Sequence, residues 1–315
     1  MAALTLASGL AAAQAPPTLY LMSGFVDYQG TNNARSEQKL RLFVSENGAA
    51  WRELAPGALY EDPHADAGGN VRDPSVAYYR HAWWMAYTND QVAGATMPRW
   101  SIATSSDLLT WTHVADISTA DLKGAVHVWA PEFFIDHQGA LHVFLAISSD
   151  LEARHFQIHE THPIDAADLT GWTTPTPVTG PGLPPDAIDP FVVEQGGLYY
   201  LFWKDDAALN LGVSASADLT SGYQLVDGAI TAPGSNCEGP SVIRVAGDVW
   251  RLICDQRVDQ GLRVADGADG FTRWTALSPL LNDTGRPWNH GTALRVTDPE
   301  AVRTVLAARA AASEK

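Results

Sequence analysis

The chain has 315 residues, of which 46% are hydrophobic, 18% charged and 9% aromatic, a balance that excludes disordered, collagen-like and coiled-coil sequences and supports a substantial buried core. Its 36 acidic residues against 20 basic ones leave a formal charge of −16, which repels phosphate backbones and anionic lipid, so neither nucleic acid nor a membrane is expected as a partner. The two cysteines, Cys237 and Cys254, are too few for a disulfide framework or a structural zinc site; they form one bridge or remain buried thiols.

Residues 1–15 come first. Leu4 to Ala15 is short, apolar and rich in small residues, and Ala13-Gln14-Ala15 fits the small-x-small pattern of an export signal. An extracellular or periplasmic location is therefore expected, although no Lys or Arg follows Met1 closely and Pro16 would stand just after the cut. No other stretch reaches the roughly 18 apolar residues that a membrane span needs.

From Arg72 onward a segment type recurs: RDPSVAYY at Arg72, WAPEFFID at Trp129, IDPFVVEQ at Ile188, EGPSVIRV at Glu238 and NHGTALRV at Asn289. Each opens polar and becomes strand-like, and the recurrence, about 50 to 60 residues, is that of propeller blades. A second column repeats with the same period, an aromatic residue closing an Asp/Ser/Gly-rich turn at Trp51, Trp111, Trp172, Tyr223 and Trp274. Hairpin turns between the columns, such as Gln195-Gly196-Gly197 before LYYLFWK, make each unit a set of antiparallel strands.

The aromatic column starts before the first strand-opening marker, and the strand-opening column ends after the last aromatic one. The two chain ends therefore complete one shared blade, with NHGTALRV supplying its first strand and LYLMSGF and KLRLFVS the rest. This wrapped order predicts an all-β fold, a five-bladed β-propeller over residues 16–298, closed by N- and C-terminal strands and so without exposed edges. Asp298-Pro299-Glu300 then starts an alanine-rich helical tail over 299–315.

First strands line a propeller's channel, so Asp73, Glu132, Asp189, Glu238 and His290, all at strand openings, converge at one end of it. Carboxylates a few Å apart push at least one pKa upward, which creates a split acid and base pair. Glycosidic hydrolysis needs such a pair: a protonated carboxyl to assist the leaving group and an ionised one to activate water. No phosphate-cradling loop, G-x-S-x-G elbow or H-E-x-x-H motif competes. The bland alternative is a propeller that only binds glycans or proteins, its polar residues serving turns and blade contacts.

RDPSV, WAPEFFID, IDPFVV and EGPSVI, in this order and across nearly the whole chain, resemble the blade openings of glycoside hydrolase family 43. The resemblance implies an inverting five-bladed propeller hydrolase acting on arabinofuranosides, xylosides or some galactosides. It casts Asp73 as general base, Asp189 as the carboxylate that tunes the acid, and Glu238 as general acid, with no cofactor required. It also suggests that His290 binds axial water or an ion such as Ca²⁺, where a hydrogen-bonded core histidine is the plainer reading. Trp129 either stacks on a sugar face or packs between blades. Asn89 and Arg257, at the ends of second strands, are candidate contacts to sugar hydroxyls. Glu132, one residue past its proline and out of register with the aspartates, is expected to hold structure. The tryptophans of the repeat are read as blade packing, and the remaining histidines show no metal-ligand spacing. Lacking an extra β-sandwich after the propeller, the chain is expected to be an arabinofuranosidase or arabinanase, with a β-xylosidase, a galactosidase or a silent glycan-binding propeller as alternatives.

Overall fold

A computed structural model of the chain describes residues 18–26, 38–64, 70–89, 98–226, 230–231, 235–245, 249–256, 261–283 and 288–314. Four antiparallel sheets of four strands follow one another along the chain, and a fifth sheet joins its two ends. Blade 1 begins with the inner strand Arg72–Tyr79, blade 2 with His127–Ile135, blade 3 with Ala187–Gln195 and blade 4 with Cys237–Arg244. In blade 5 the inner strand Ala293–Val296 pairs with Leu19–Gly24, which pairs in turn with Arg41–Ser45 and then Ala50–Glu53. This is the wrapped closure that the order of the repeats predicts. The export-signal region lies outside the described residues, and no described helix is long and apolar enough to cross a membrane.

The aromatic column owes its regularity to local chemistry. Before Trp111, the Ser105 hydroxyl accepts the amides of Asp107 and Leu108, Asp107 accepts those of Leu109 and Thr110, and the Trp111 indole donates back to the Leu108 carbonyl at 3.0 Å. Trp172, Trp274 and Tyr223 close their turns in the same way, onto the carbonyls of Leu169, Phe271 and Leu219. Such side-chain-to-backbone turns satisfy donors that no neighbouring strand can reach. Trp51 and Tyr223 are fully buried, and Trp100 of blade 1 meets Trp172 of blade 2 edge-on at 4.9 Å. The repeat tryptophans are packing, as their period suggests.

Four inner strands share a break near their start. Strand register shifts between Arg72 and Ser75, Trp129 and Glu132, Ile188 and Phe191, and Glu238 and Ser241. In each break the residue before the proline has a positive φ: 48° at Asp73, 47° at Ala130, 53° at Asp189 and 60° at Gly239. A bulge of this kind bends the strand and re-aims a side chain. Three of the four are not glycine, and such backbone strain collects at functional sites.

Cys237 and Cys254 form a disulfide between the first two strands of blade 4, with Cα atoms 6.0 Å apart. The tail is a helix, Pro299–Ser313, whose first turn is capped by the Asp298 carboxylate accepting the amides of Glu300 and Ala301. Ala301, Val302, Val305 and Ala308 bury its apolar side against blades 5 and 1.

Candidate active site

The bulges place Asp73, Ala130, Asp189 and Gly239 in equivalent positions around the axis, with His290 in the fifth. Asp73, Glu132, Asp189 and His290 line one axial pocket together with Pro131, Pro190, Pro240, Gly239 and Gly291. Glu238 immediately precedes Gly239 and is itself buried. Gly239 must be glycine: a Cβ there would lie 1.8 Å from the imidazole of His290.

His290 is fixed from behind. Asp255, on the second strand of blade 4, accepts from both the His290 backbone amide at 2.9 Å and Nδ1 at 2.8 Å. That hydrogen bond directs Nε2 into the pocket, 3.3 Å from Asp73 Oδ1 and 4.0 Å from Asp189 Oδ1. Burial would lower the pKa of this imidazole, but the charges of Asp189 and Asp255 and the hydrogen bonds to Asp255 and Asp73 hold it well above its ordinary value. Glu238, Asp255 and His290 offer donor atoms within 4.8 Å of one another, so the ion that the resemblance suggests at His290 would find a donor set here, beside a Lys204 that stands 2.7 Å from Glu238.

Each carboxylate then has its own environment. Burial pushes the Asp73 carboxyl up, yet the hydrogen bond and charge of His290, with Arg72 and Thr88, bring it down to about 2. Asp189 moves the other way: burial raises it and the charge of Asp73 adds to the rise, against His290, Lys204 and the Gly239 amide, which donates to Oδ2 at 2.9 Å. Glu238 is ion-paired, its Oε2 lying 2.7 Å from Lys204 Nζ. Lys204 is 1% exposed and also meets Asp206 at 2.7 Å. Burial opposes its charge, but Glu238, Asp189 and Asp206 hold it protonated. Glu132 is raised to about 8 by burial, despite hydrogen bonds from Thr292 and Ser75. Its Oε2 accepts from the Thr292 hydroxyl at 2.5 Å, linking blade 2 to blade 5.

Of the residues singled out in the sequence, Asp73, Glu132, Asp189 and His290 share the pocket and Glu238 adjoins it. Trp129 is half-buried, one residue before the pocket-lining Ala130, with its ring 4.6 Å from that of Phe156. Asn89 lies at the end of the second strand of blade 1. It is fully buried, and its amide donates to Asp62 and Ser101 at 3.1 Å, tying a loop to blade 1. The strand end faces inward there because Tyr87 and Asp62 close over it with a 2.6 Å hydrogen bond. Arg257 lies outside the described residues. Sequence alone does not mark Lys204 and Asp255: each is the penultimate residue of a second strand, Leu198–Asp205 and Trp250–Gln256, and neither belongs to a repeated column.

An axial pocket in a five-bladed propeller, with buried carboxylates poised by two cations, has the equipment of a sugar-cleaving enzyme. A family model described as a probable glycosyl hydrolase domain, related to glycoside hydrolase family 43, matches residues 16–301, and the chain belongs to this family of glycoside hydrolases. Solved structures share the fold at low identity. The α-L-arabinanase of Cellvibrio cellulosa, complexed with arabinohexaose, aligns with a TM-score of 0.56 at 16% identity over 84% of this chain and 93% of that one. The endo-arabinase of Bacteroides thetaiotaomicron gives 0.54 at 13%, over 87% and 96%. An exo-β-1,3-galactanase from Phanerochaete chrysosporium gives 0.54 at 14%, over 71% and 53%.

Proposed function

We propose that this glycoside hydrolase cleaves α-L-arabinofuranosyl linkages, in arabinan or in arabinofuranoside side chains, with inversion at the anomeric carbon. The observation that carries the reading is the convergence of Asp73, Asp189 and His290 on one axial pocket, with the buried Glu238 adjoining it beside Gly239. His290 Nε2, 3.3 Å from Asp73, favours the ionised form of that carboxyl, as a general base requires. Asp73 takes a proton from water as that water attacks the anomeric carbon. Glu238 gives a proton to the departing oxygen, and the bond between that oxygen and the sugar breaks. Water fits between the two carboxyls if they stand roughly 6.5 to 9.5 Å apart. Lys204 favours ionised Glu238, but Asp206 is its second partner, so the cation remains paired when Glu238 takes up a proton.

Arabinose is favoured because two of the structural neighbours named above act on arabinan. The galactanase keeps a galactoside in view, and a β-xyloside is the other alternative. The disulfide supports an oxidising compartment and therefore export. No cofactor enters this chemistry. The test is release of p-nitrophenol from α-L-arabinofuranoside, β-D-xyloside and β-D-galactoside, with reducing-sugar release from debranched and linear arabinan and proton NMR of the first-formed anomer. The arabinofuranosyl substrates should be cleaved first, with inversion. A faster xyloside or galactoside, or a retained anomer, overturns the reading. Glu238→Gln should spare the activated aryl glycoside more than arabinan, since only the poor leaving group needs the proton. A silent binding propeller would show no turnover and would keep its glycan affinity in that variant.

A further inference from the structure

Blade 2 carries a cluster that the glycosidase chemistry does not use, at the end of its strands away from the axial pocket. His142 is on the second strand, opposite Phe134, and Glu160 is on the third, opposite Phe144. Residues two apart in a strand share a face, so this register brings Glu160 and the following His162 onto the same face as His142. Glu160 Oε1 lies 2.7 Å from Nδ1 of His142 and 3.1 Å from Nδ1 of His162, and the three donor atoms are all within 4.8 Å of one another. Tetrahedral zinc with bonds of about 2.0–2.1 Å sets its donors roughly 3.3 Å apart. Small rotations of the three side chains reach that arrangement.

Charge and tautomer point the same way. The Glu160 side chain is 6% exposed, and its ion-pair partners among the described residues are these two imidazoles, with no Lys or Arg. On its far side, His142 Nε2 is buried without a hydrogen-bond partner, 3.6 Å from Asp136 Oδ2. A neutral His142 donating from Nδ1 to Glu160 would turn the Nε2 lone pair toward a carboxylate oxygen. With a metal on Nδ1 the proton belongs on Nε2, where it faces Asp136. This is the carboxylate–histidine–metal arrangement that orients ligands in metalloproteins. The Asp136 carboxylate is in turn held by the amides of Gln138 and Ala140 at 2.9 and 2.8 Å. His162 is half-exposed and leaves the fourth coordination position open to water.

We propose that His142, Glu160 and His162 form a site for a zinc-type dication that ties the strands of blade 2 together, with Asp136 orienting His142. Two other groups have donors at similar distances, Glu238, Asp255 and His290 at the axial site and His64, His113 and Asp116. In both a basic side chain already pairs with a carboxylate of the group, Lys204 with Glu238 at 2.7 Å and Arg99 with Asp116 at 3.2 Å. Histidine spacing along the chain conceals the proposed site, because strand pairing creates it.

The experiment is calorimetric titration of the full chain, stripped of metal with a chelator, with zinc chloride at neutral pH, alongside thermal unfolding. The expected result is one zinc per chain with a dissociation constant of about micromolar or below and a raised Tm. His162→Ala removes a half-exposed ligand and should weaken binding at least tenfold while the metal-free Tm stays close to that of the parent. Asp136→Asn keeps the oxygen that the turn needs, opposes Nε2–H, and should weaken binding by about 10–100-fold. His64→Ala should bind as the parent does. Absence of zinc binding would overturn the proposal. So would binding that survives both blade 2 substitutions, or that is lost in His64→Ala.

Discussion

Lys204 and His290 bring two positive charges among the buried carboxylates of the site, and their positions decide where its protons reside. His290, clamped by Asp255, favours the ionised form of Asp73, as a general base requires. Lys204 has the opposite bearing on catalysis, because an acid beside a cation gives up its proton at lower pH. Replacing Lys204 with Met removes that charge, so Glu238 should remain protonated to higher pH. The basic limb of the kcat/KM profile should move upward by about 1 to 3 pH units. An unchanged basic limb would show that Glu238 is not the proton donor. Glu132 provides a stability readout at the same scale. Burial raises its carboxyl to about 8 from an ordinary 4.5. The folded chain therefore holds a proton that the unfolded chain has already lost between those values. Its contribution is complete below pH 4.5 and is lost as pH rises to about 8. The Tm of the parent should therefore fall relative to that of Glu132→Gln between pH 5 and pH 9, measured by calorimetry across buffers. A pH-independent difference would place the Glu132 carboxyl in water. Asp73, Asp189 and His290 were legible in the sequence because the fold repeats and they occupy one column of it, and Glu238 because it immediately precedes that column's Gly239. Lys204 and Asp255 were not, since nothing in a one-dimensional pattern says which second-strand residue meets which first-strand carboxylate.

Among the elements, the inner strands carry the most information. Their prolines marked the repeat, but the register break and the positive φ before each proline follow from how strands pair, which a single strand's sequence does not show. The bulge explains why Glu132 faces Thr292: one added residue shifts every later side chain by a place. The surroundings of Asn89 were illegible for a related reason, since the end of a second strand can be covered by a neighbouring loop, here through Asp62 and Tyr87. In blade 4 the disulfide anchors the strand that carries Glu238, because Cys237 immediately precedes it. Bridging residues 17 apart constrains the unfolded chain by about 3 kcal/mol in the loop-entropy view. Reduction, or Cys237→Ser with Cys254→Ser, should lower the Tm by several degrees and lower kcat as the Glu238 bulge loosens. A chain whose Tm and kcat both survive reduction would show that the strand pairing alone holds this bulge.

At the scale of the whole molecule, closure couples the chain's ends to everything between them. Ser23 donates its amide to the Thr292 carbonyl at 2.9 Å, and Leu19 to Met22 pair with Val296 to Ala293. These contacts join residues 269 or more apart in sequence. They form only after the intervening blades are near their final places, so folding should be slow, as for other β-folds dominated by distant pairings. Leu21 lies at the centre of the closing blade, with no exposed surface, in the cluster that also takes Val302 and Val305 of the C-terminal helix. Leu21→Ala should cost about 2–5 kcal/mol, as deletions of buried leucine do. Leu281→Ala, at a position 69% exposed, should stay within about 0.5 kcal/mol. Because blade 5 touches both blade 4 and blade 1, its weakening should destabilise the ring as one unit. Tryptophan fluorescence, which reports eleven residues spread over the blades, and far-ultraviolet circular dichroism should then give coincident urea transitions in Leu21→Ala, shifted to lower urea with an unchanged slope. Separate transitions for the two probes would mean that the blades fold independently and that the closing blade is an accessory to the ring.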